Sequence, residues 1–331
     1  VSQFKLPPAE YLGLLQTSAA EEMIIDLFRY QYDQNLLYRE FVDLLRVRPD
    51  AVRDTTQIPF LPIGFFKTHQ VLSGAGTEHE LLFESSRTTG DFPSRHFVRN
   101  AALYERSLIM GFEAEFGPLS GWTILALLPS YLERKTASLV HMAQTMMRSG
   151  AGPDSGFYLN ELDVLAEKLK TLRAAGKKVL LLGVTFALLD FAEAYPMDLS
   201  GVVVMETGGM KGRREEWTRA QVHEFLKSRW NLPAVATEYG MTELLSQAYS
   251  HEDGLLTPAF SMRVLVRDVN DPLDLSLAGS GVLNIIDLAN VHSCAFIATE
   301  DLGTVYEGGS FEVSGRMDHA ALRGCSLMTV F

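Results

Sequence analysis

The sequence predicts an α/β protein: a body of parallel βαβ layers followed by a smaller, mainly antiparallel β region. Three observations predict it. Between about residues 123 and 237, apolar runs of strand length alternate with segments of helical periodicity, the pattern of parallel strands covered by helices on both faces. After about residue 258 the helical pattern stops, and short apolar segments are separated by Gly, Asp and Asn, as in antiparallel sheets. The chain of 331 residues, 47% of them hydrophobic, is long enough for a large core without disulfides or metals.

The elements follow in order. Residues 21–45 carry Met23, Ile24, Leu27, Phe28, Leu36, Leu37, Phe41, Leu44 and Leu45 at helical spacing. Pro59, Pro62 and Gly64 mark 58–66 as an extended loop. A strand is expected at 81–83 and a helix from Arg95 onward. Strands are then expected at 123–128, 178–182, 201–205 and 234–237, with helices at 134–147, 159–174 and 214–228. The most apolar run, 179–192, is interrupted by Gly183, Thr185 and Asp190, so it reads as a buried strand entering a helix. The β region holds segments at 262–266, 282–286, 295–297 and 311–313. We place a boundary between 1–257 and 258–331; no Pro/Ser-rich linker marks it, so the two parts should pack closely. There is no internal repeat or low-complexity segment.

Composition excludes several classes. Lys and Arg total 29 against 41 Asp and Glu, a formal charge of −12, which argues against a nucleic-acid binder but not against a nucleotide ligand held by a few local donors. Cys294 and Cys325 cannot form a disulfide framework or a Cys-rich zinc site, and a reducing cytoplasm is the expected location. No run is long and apolar enough for a spanning helix, and the first residues lack a signal pattern. Serine-hydrolase and dinucleotide fingerprints are both missing, as is the zinc-binding His-Glu-x-x-His.

Three segments can carry chemistry. The first is Phe83-Glu84-Ser85-Ser86-Arg87-Thr88-Thr89-Gly90-Asp91, where hydroxyls and backbone N–H groups can cradle phosphate oxygens; taken alone, such a run is more commonly a Ser/Thr-rich surface turn. The second is Glu238-Tyr239-Gly240-Met241-Thr242-Glu243, which follows a strand and precedes an apolar helical turn. There a tyrosine can stack on a base, a hydroxyl can bind phosphate and a carboxylate can hold Mg²⁺; the alternative is an ordinary junction with Thr242 as a helix cap. The third is Thr299-Glu300-Asp301-Leu302-Gly303 with Gly315-Arg316-Met317-Asp318 after it. A carboxylate suits ribose hydroxyls and an arginine suits phosphate; read alone, Asp-Leu-Gly is a turn and Arg316 a surface ion-pair residue.

In this order the segments resemble the adenylate-forming enzymes, the acyl-CoA synthetase and ligase superfamily. The Tyr-Gly-x-Thr-Glu motif at 239–243 agrees at every fixed position, with the phosphate loop at 85–90, the Thr-x-Asp at 299–301 and the Gly-Arg-x-Asp hinge at 315–318. The chain is closer still to the LuxE-like acyl-protein synthetases, relatives of phenylacetate-CoA ligase. That narrower resemblance rests on Ile-Pro-Phe-Leu-Pro-Ile-Gly-Phe-Phe-Lys at 58–67, Thr-Gly-Gly-Met-Lys at 207–211 and Arg-Gly-Cys-Ser at 323–326. The resemblance runs from about Pro59 to the end.

The resemblance implies roles. Ser85, Ser86, Thr88, Thr89 and Gly90 would hold the phosphates of ATP. Gly208 and Gly209 would flank the adenine and Tyr239 would lie against it. Thr242 would contact phosphate, Glu243 would bind Mg²⁺, Asp301 would hold the ribose, and Arg316 would support the nucleotide. The implied reaction converts a carboxylic acid, fatty by the narrower resemblance, into acyl-AMP and pyrophosphate. Cys325 would then accept the acyl group before it passes to a partner reductase, acyltransferase or carrier protein. Cys294 reads as a core residue.

Two departures qualify the roles. Arg87 stands where the phosphate loop usually has glycine, and no lysine follows at 93–95. Only about 13 residues follow Asp318, so the superfamily's C-terminal lobe with its adenylation lysine is expected to be largely absent. Two alternatives stay open: a phenylacetate-type CoA ligase, and a non-catalytic nucleotide- or acyl-binding subunit of a biosynthetic complex. The apolar run 179–191 is a candidate wall of an acid pocket, or plain core.

Overall fold

A computed structural model of the protein describes residues 2–17, 20–85, 92–129, 136–208, 217–252 and 254–317. It begins with three helices, α1 (Pro8–Leu15), α2 (Ala20–Gln34) and α3 (Leu36–Leu44). The helix expected across 21–45 is broken at Asn35, whose side chain accepts from Tyr38 N at 3.0 Å and restarts the helix in a new direction. The expected loop at 58–66 contains β1 (Leu61–Pro62), and α4 (Phe65–Thr68) starts near its end.

Next come β2 (Leu81–Glu84) and β3 (Arg95–Val98), a two-stranded antiparallel hairpin. The helix expected from Arg95 is thus corrected to a strand. His96 and Val98 are buried on one side of it, a period of two, and the helical signal belongs to Asn100, which caps α5 (Ala101–Phe116).

The alternating stretch then follows the expected order, with ends shifted by a few residues and one short strand added at Gly156–Tyr158. It comprises β4 (Trp122–Leu127), α6 (Ser138–Arg148), β5 (Gly156–Tyr158), α7 (Leu162–Ala174), β6 (Lys178–Val184), α8 (Thr185–Ala194), β7 (Val203–Thr207), α9 (Arg219–Trp230) and β8 (Ala236–Tyr239). Strands β8, β7, β6, β4 and β5 are parallel neighbours in that order. Two antiparallel strands, β9 (Ala248–Ser250) and β10 (Thr257–Pro258), extend the sheet to seven. β6 is buried from Val179 on, so the run 179–192 is a core strand and helix packed between layers.

The second sheet has β11 (Met262–Arg267), β12 (Leu275–Ser276), β13 (Gly279–Asp287), β14 (Phe296–Val305) and β15 (Phe311–Arg316), all antiparallel to their neighbours. β1 pairs with β14 in parallel and makes it six-stranded. Its core combines Leu27, Phe28, Tyr38 and Phe66 from the first seventy residues with Ile285, Phe296 and Phe311 from the end. Cys294 is fully buried there, as expected, and burial pushes its thiol up to about 12. Among the described residues no helix is long and apolar enough to cross a membrane.

Candidate active site

The carboxyl ends of β7 and β8 meet the carboxyl end of β15 and the neck of the β2–β3 hairpin around one cavity of about 890 Å³. Ligands of open α/β sheets sit at such strand ends. Of the residues assigned from sequence, Ser85, Gly208, Tyr239, Thr242, Glu243, Asp301 and Arg316 are described, and all seven line this cavity. Ser86, Arg87, Thr88, Thr89, Gly90, Gly209 and Cys325 lie outside the described residues.

Asp301 and Arg316 are cross-strand partners on β14 and β15, which puts their side chains together without any loop. Arg316 Nε donates to Asp301 Oδ1 at 3.1 Å, and Tyr239 Oη, arriving from the other sheet, donates to Oδ2 at 2.9 Å. The turn read for Asp-Leu-Gly in isolation is corrected: Asp301 lies inside a ten-residue strand. Tyr239 packs edge-on against Phe311, with ring centroids 5.4 Å apart. Burial, then the Asp301 carboxylate, holds its hydroxyl protonated far above neutral pH, so it acts as a fixed donor.

Gly208 follows β7 with φ +73°, a left-handed conformation that suits glycine. At the hairpin neck, Ser85 Oγ accepts from Ser94 N at 2.9 Å and Ser85 N donates to Ser94 O at 3.0 Å.

The segment after Tyr239 is no helix, so Thr242 is not a helix cap; residues 240–247 form an irregular connection leading to β9. Tertiary hydrogen bonds fix it instead. His96 Nδ1 lies 2.9 Å from Thr242 O, and Asn290 Nδ2 donates to Glu243 O at 2.9 Å. His96 is itself fully buried, and burial lowers its imidazole to about 4, so it is neutral at physiological pH. The Glu243 side chain is 6% exposed; burial pushes its carboxyl up, opposed by a hydrogen bond from Ser94.

Sequence reasoning missed Tyr104, Glu206 and Arg219, and it gave Glu238 no role. All four line the cavity. Glu206 accepts from Thr185 Oγ1 at 2.8 Å and Thr237 Oγ1 at 3.1 Å, and Arg219 Nε lies 3.6 Å away. Glu238 Oε2 accepts from Thr207 Oγ1. The apolar run 179–191 contributes only Thr185 to the described cavity wall, so its apolar side chains are core. The signal for Glu238 was present: a carboxylate in a strand with a glycine two residues on, where a Cβ at Gly240 would lie 2.5 Å from Glu238 Oε1.

Burial raises the Glu238 carboxyl to about 7. The folded chain therefore binds more protons than the unfolded one between 4.5 and about 7, and this carboxyl erodes stability as pH rises through that window. Glu238→Gln is expected to raise the melting midpoint by several degrees at pH 8 and to leave it unchanged at pH 4.5 (about 1 kcal/mol or more, from the linkage relation). Thermal unfolding at the two pH values checks this; equal shifts at both would show that the carboxyl is not perturbed.

The residues present fit a magnesium-bound nucleotide. Six carboxylates, Glu84, Glu206, Glu238, Glu243, Glu300 and Asp301, line the described wall against three cations, Lys67, Arg219 and Arg316. A polyphosphate there requires added positive charge. Among the described residues no three His, Cys, Asp or Glu side chains are gathered for a metal. Mg²⁺ needs fewer, since it is held by one or two carboxylates plus phosphate oxygens and water.

Comparison with solved structures places the architecture. The O-succinylbenzoate coenzyme A synthetase of Bacillus subtilis in complex with AMP superposes with a TM-score of 0.50 at 15% identity, covering 71% of this chain and 49% of that one. A long-chain-fatty-acid-CoA ligase from Archaeoglobus fulgidus gives 0.53 at 16%, covering 75% and 53%. The fold is that of the adenylate-forming enzymes. The McyG A-PCP structure, complexed with phenylalanyl-adenylate, gives 0.53 at 16% identity and covers 85% of this chain and 47% of that one. The chain thus spans about half the length of the solved structures it matches. No family model matches the sequence, and no curated protein does.

Proposed function

We propose that the chain activates a carboxylic acid as its adenylate, with Mg-ATP as co-substrate, and passes the acyl group to a thiol. The observation that carries the reading is the hydrogen-bonded set Tyr239, Asp301 and Arg316, facing the same cavity as Gly208, Thr242 and Glu243 at the carboxyl ends of parallel strands. Glycine at 208 makes the left-handed turn after β7, and the Tyr239 ring would offer the base a face. Both Asp301 oxygens already accept hydrogen bonds and retain lone pairs for ribose hydroxyls, so the carboxylate is oriented before the nucleotide arrives.

In the adenylation step, a carboxylate oxygen of the acid forms a bond to the α-phosphorus. The bond from that phosphorus to the bridging oxygen breaks, and pyrophosphate leaves. Mg²⁺ held at Glu243 would neutralise charge on the phosphates. Thr242 supplies a hydroxyl for phosphate, and Arg316 a fixed cation beside Asp301. In the transfer step a thiolate attacks the acyl carbon and AMP departs. Cys325 is the acceptor we favour within the chain, on the strength of the resemblance at 323–326.

Intact mass and pyrophosphate release, after incubation of the full chain with Mg-ATP and a broad acid panel, test both steps. Pyrophosphate together with an acyl adduct that Cys325→Ala abolishes is the expected result; release should persist in that variant. An adduct surviving in Cys325→Ala overturns the acceptor. Nucleotide binding without pyrophosphate for any acid overturns the enzyme reading and favours a binding subunit.

A further inference from the structure

Glu206 and Glu238 sit on adjacent strands but face opposite sides of the sheet. Glu206 pairs across with Thr237 and is met by Arg219 and by His223, whose Nε2 is 3.7 Å away. Glu238 pairs across with Thr207 and has no basic side chain in ion-pair range among the described residues. One oxygen accepts from Thr207; Oε1 accepts from no described residue and stands where Gly240 leaves room for it. A buried carboxylate without a cation is costly, and in a structure tuned only for stability it would be replaced or paired.

Two tyrosines lie near this carboxylate, and Tyr249 is its cross-strand partner on β9. Tyr104 lines the cavity, is 1% exposed, and its hydroxyl bonds to no described residue. Tyr249 Oη is fully buried and also has no partner among the described residues. Both feel the charge of Glu238. Of the two, Tyr104 is the one that lines the cavity, where its hydroxyl can bond a ligand. The same cavity wall carries Ala137, Leu139 and Met142, with Ser138 among them.

We propose that Glu238 and Tyr104 form the specificity end of the acid pocket and select a small carboxylic acid that carries a protonated amine on an apolar stem. The inference rests on the adenylation reading for the fate of the carboxyl end. The ammonium supplies the missing cation to Glu238 Oε1, and the Ala137–Met142 side of the wall covers the stem. A plain fatty chain would instead strip water from Glu238 and return nothing to it. Since burial raises this carboxyl to about 7, amine recognition strengthens as pH rises past 7.

The test uses the full chain and isosteric pairs in which ammonium replaces methyl: aminohexanoate with heptanoate, and aminomethylbenzoate with ethylbenzoate. Affinity is measured by calorimetry without ATP, and pyrophosphate release with Mg-ATP. At least one pair is expected to favour the ammonium member about tenfold or more, and Glu238→Gln to bring that ratio close to one while the variant stays folded. Tyr104→Phe should reduce the preference in part. Equal or better use of the methyl members, an unchanged ratio in Glu238→Gln, or binding by neither member of any pair overturns the pocket assignment. Ammonium-selective binding without pyrophosphate release overturns the adenylation reading instead and leaves the selectivity standing.

Discussion

Glu243→Ala is expected to lower kcat/KM for pyrophosphate release by about a hundredfold and to raise the Mg²⁺ concentration needed for half-maximal rate. The carboxyl is held where a cation would relieve it. It is 6% exposed, its backbone carbonyl is gripped by Asn290 and its preceding carbonyl faces His96. Its acidity is weakened first by burial, and Ser94 recovers part of the loss. Among the described lining residues carboxylates outnumber cations, so a divalent ion would ease the approach of a triphosphate to that wall. Glu243→Gln separates charge from shape, since the amide oxygen can still accept from Ser94. The Gln variant should therefore keep its melting midpoint and lose the Mg²⁺ response, whereas Ala loses some of both. A full Mg²⁺ titration of pyrophosphate release, beside thermal unfolding, reads the two effects. Wild-type turnover at limiting Mg²⁺ in either variant would sink the metal role.

The parallel body was legible because its strands are buried on both faces and read as unbroken apolar runs, as in β4 and β6. The Tyr-Gly-x-Thr-Glu motif was legible because its neighbours in sequence are its neighbours at the site. Asp301 and Arg316 were legible as residues but not as a pair. Leu302-Gly303 looks like a turn, yet Gly303 lies in mid-strand because a Cβ there would collide with Glu312 O across the β14–β15 pairing. The glycine marks a close approach of backbones, which local sequence cannot distinguish from a reversal.

Other features were set by distant residues. The connection after Tyr239 carries the polar spacing of a helix start, and it is held open by groups on β3 and beyond β13, about 150 and 45 positions away. Arg95 resembled a helix start because a capping Asn100 lies five residues on, while the alternation at His96 and Val98 covers too few residues to outweigh it. Glu238 was visible in every reading of the motif. Its meaning depends on Arg219 lying on the other face of the sheet, beside Glu206, which no linear pattern encodes.

Asp287→Ala is expected to destabilise the fold by about 3–5 kcal/mol, a large share of the about 5–15 kcal/mol typical of such chains. The residue is fully buried at the end of β13 and works as an acceptor for four donors. Leu245 N and Ser246 N reach Oδ2 at 2.6 and 3.1 Å; Ser246 Oγ and Ala289 N reach Oδ1 at 2.6 and 3.1 Å. Burial weakens its acidity and these bonds oppose that effect, so the carboxylate is tolerated only because its lone pairs are used. Alanine would strand three backbone N–H groups in the interior, each without water. Asparagine keeps one acceptor but turns an NH₂ toward donors, so it too should destabilise, by less. The loss would also reach the site. Leu245 and Ser246 lie just beyond Glu243, and Ala289 adjoins the Asn290 that grips the Glu243 carbonyl. Urea unfolding should show the midpoint falling in both variants, and pyrophosphate release assayed well below that midpoint should show a raised requirement for Mg²⁺. If Asp287→Asn matches the wild type in both measurements, the connection carrying Glu243 is held by its packing rather than by this carboxylate.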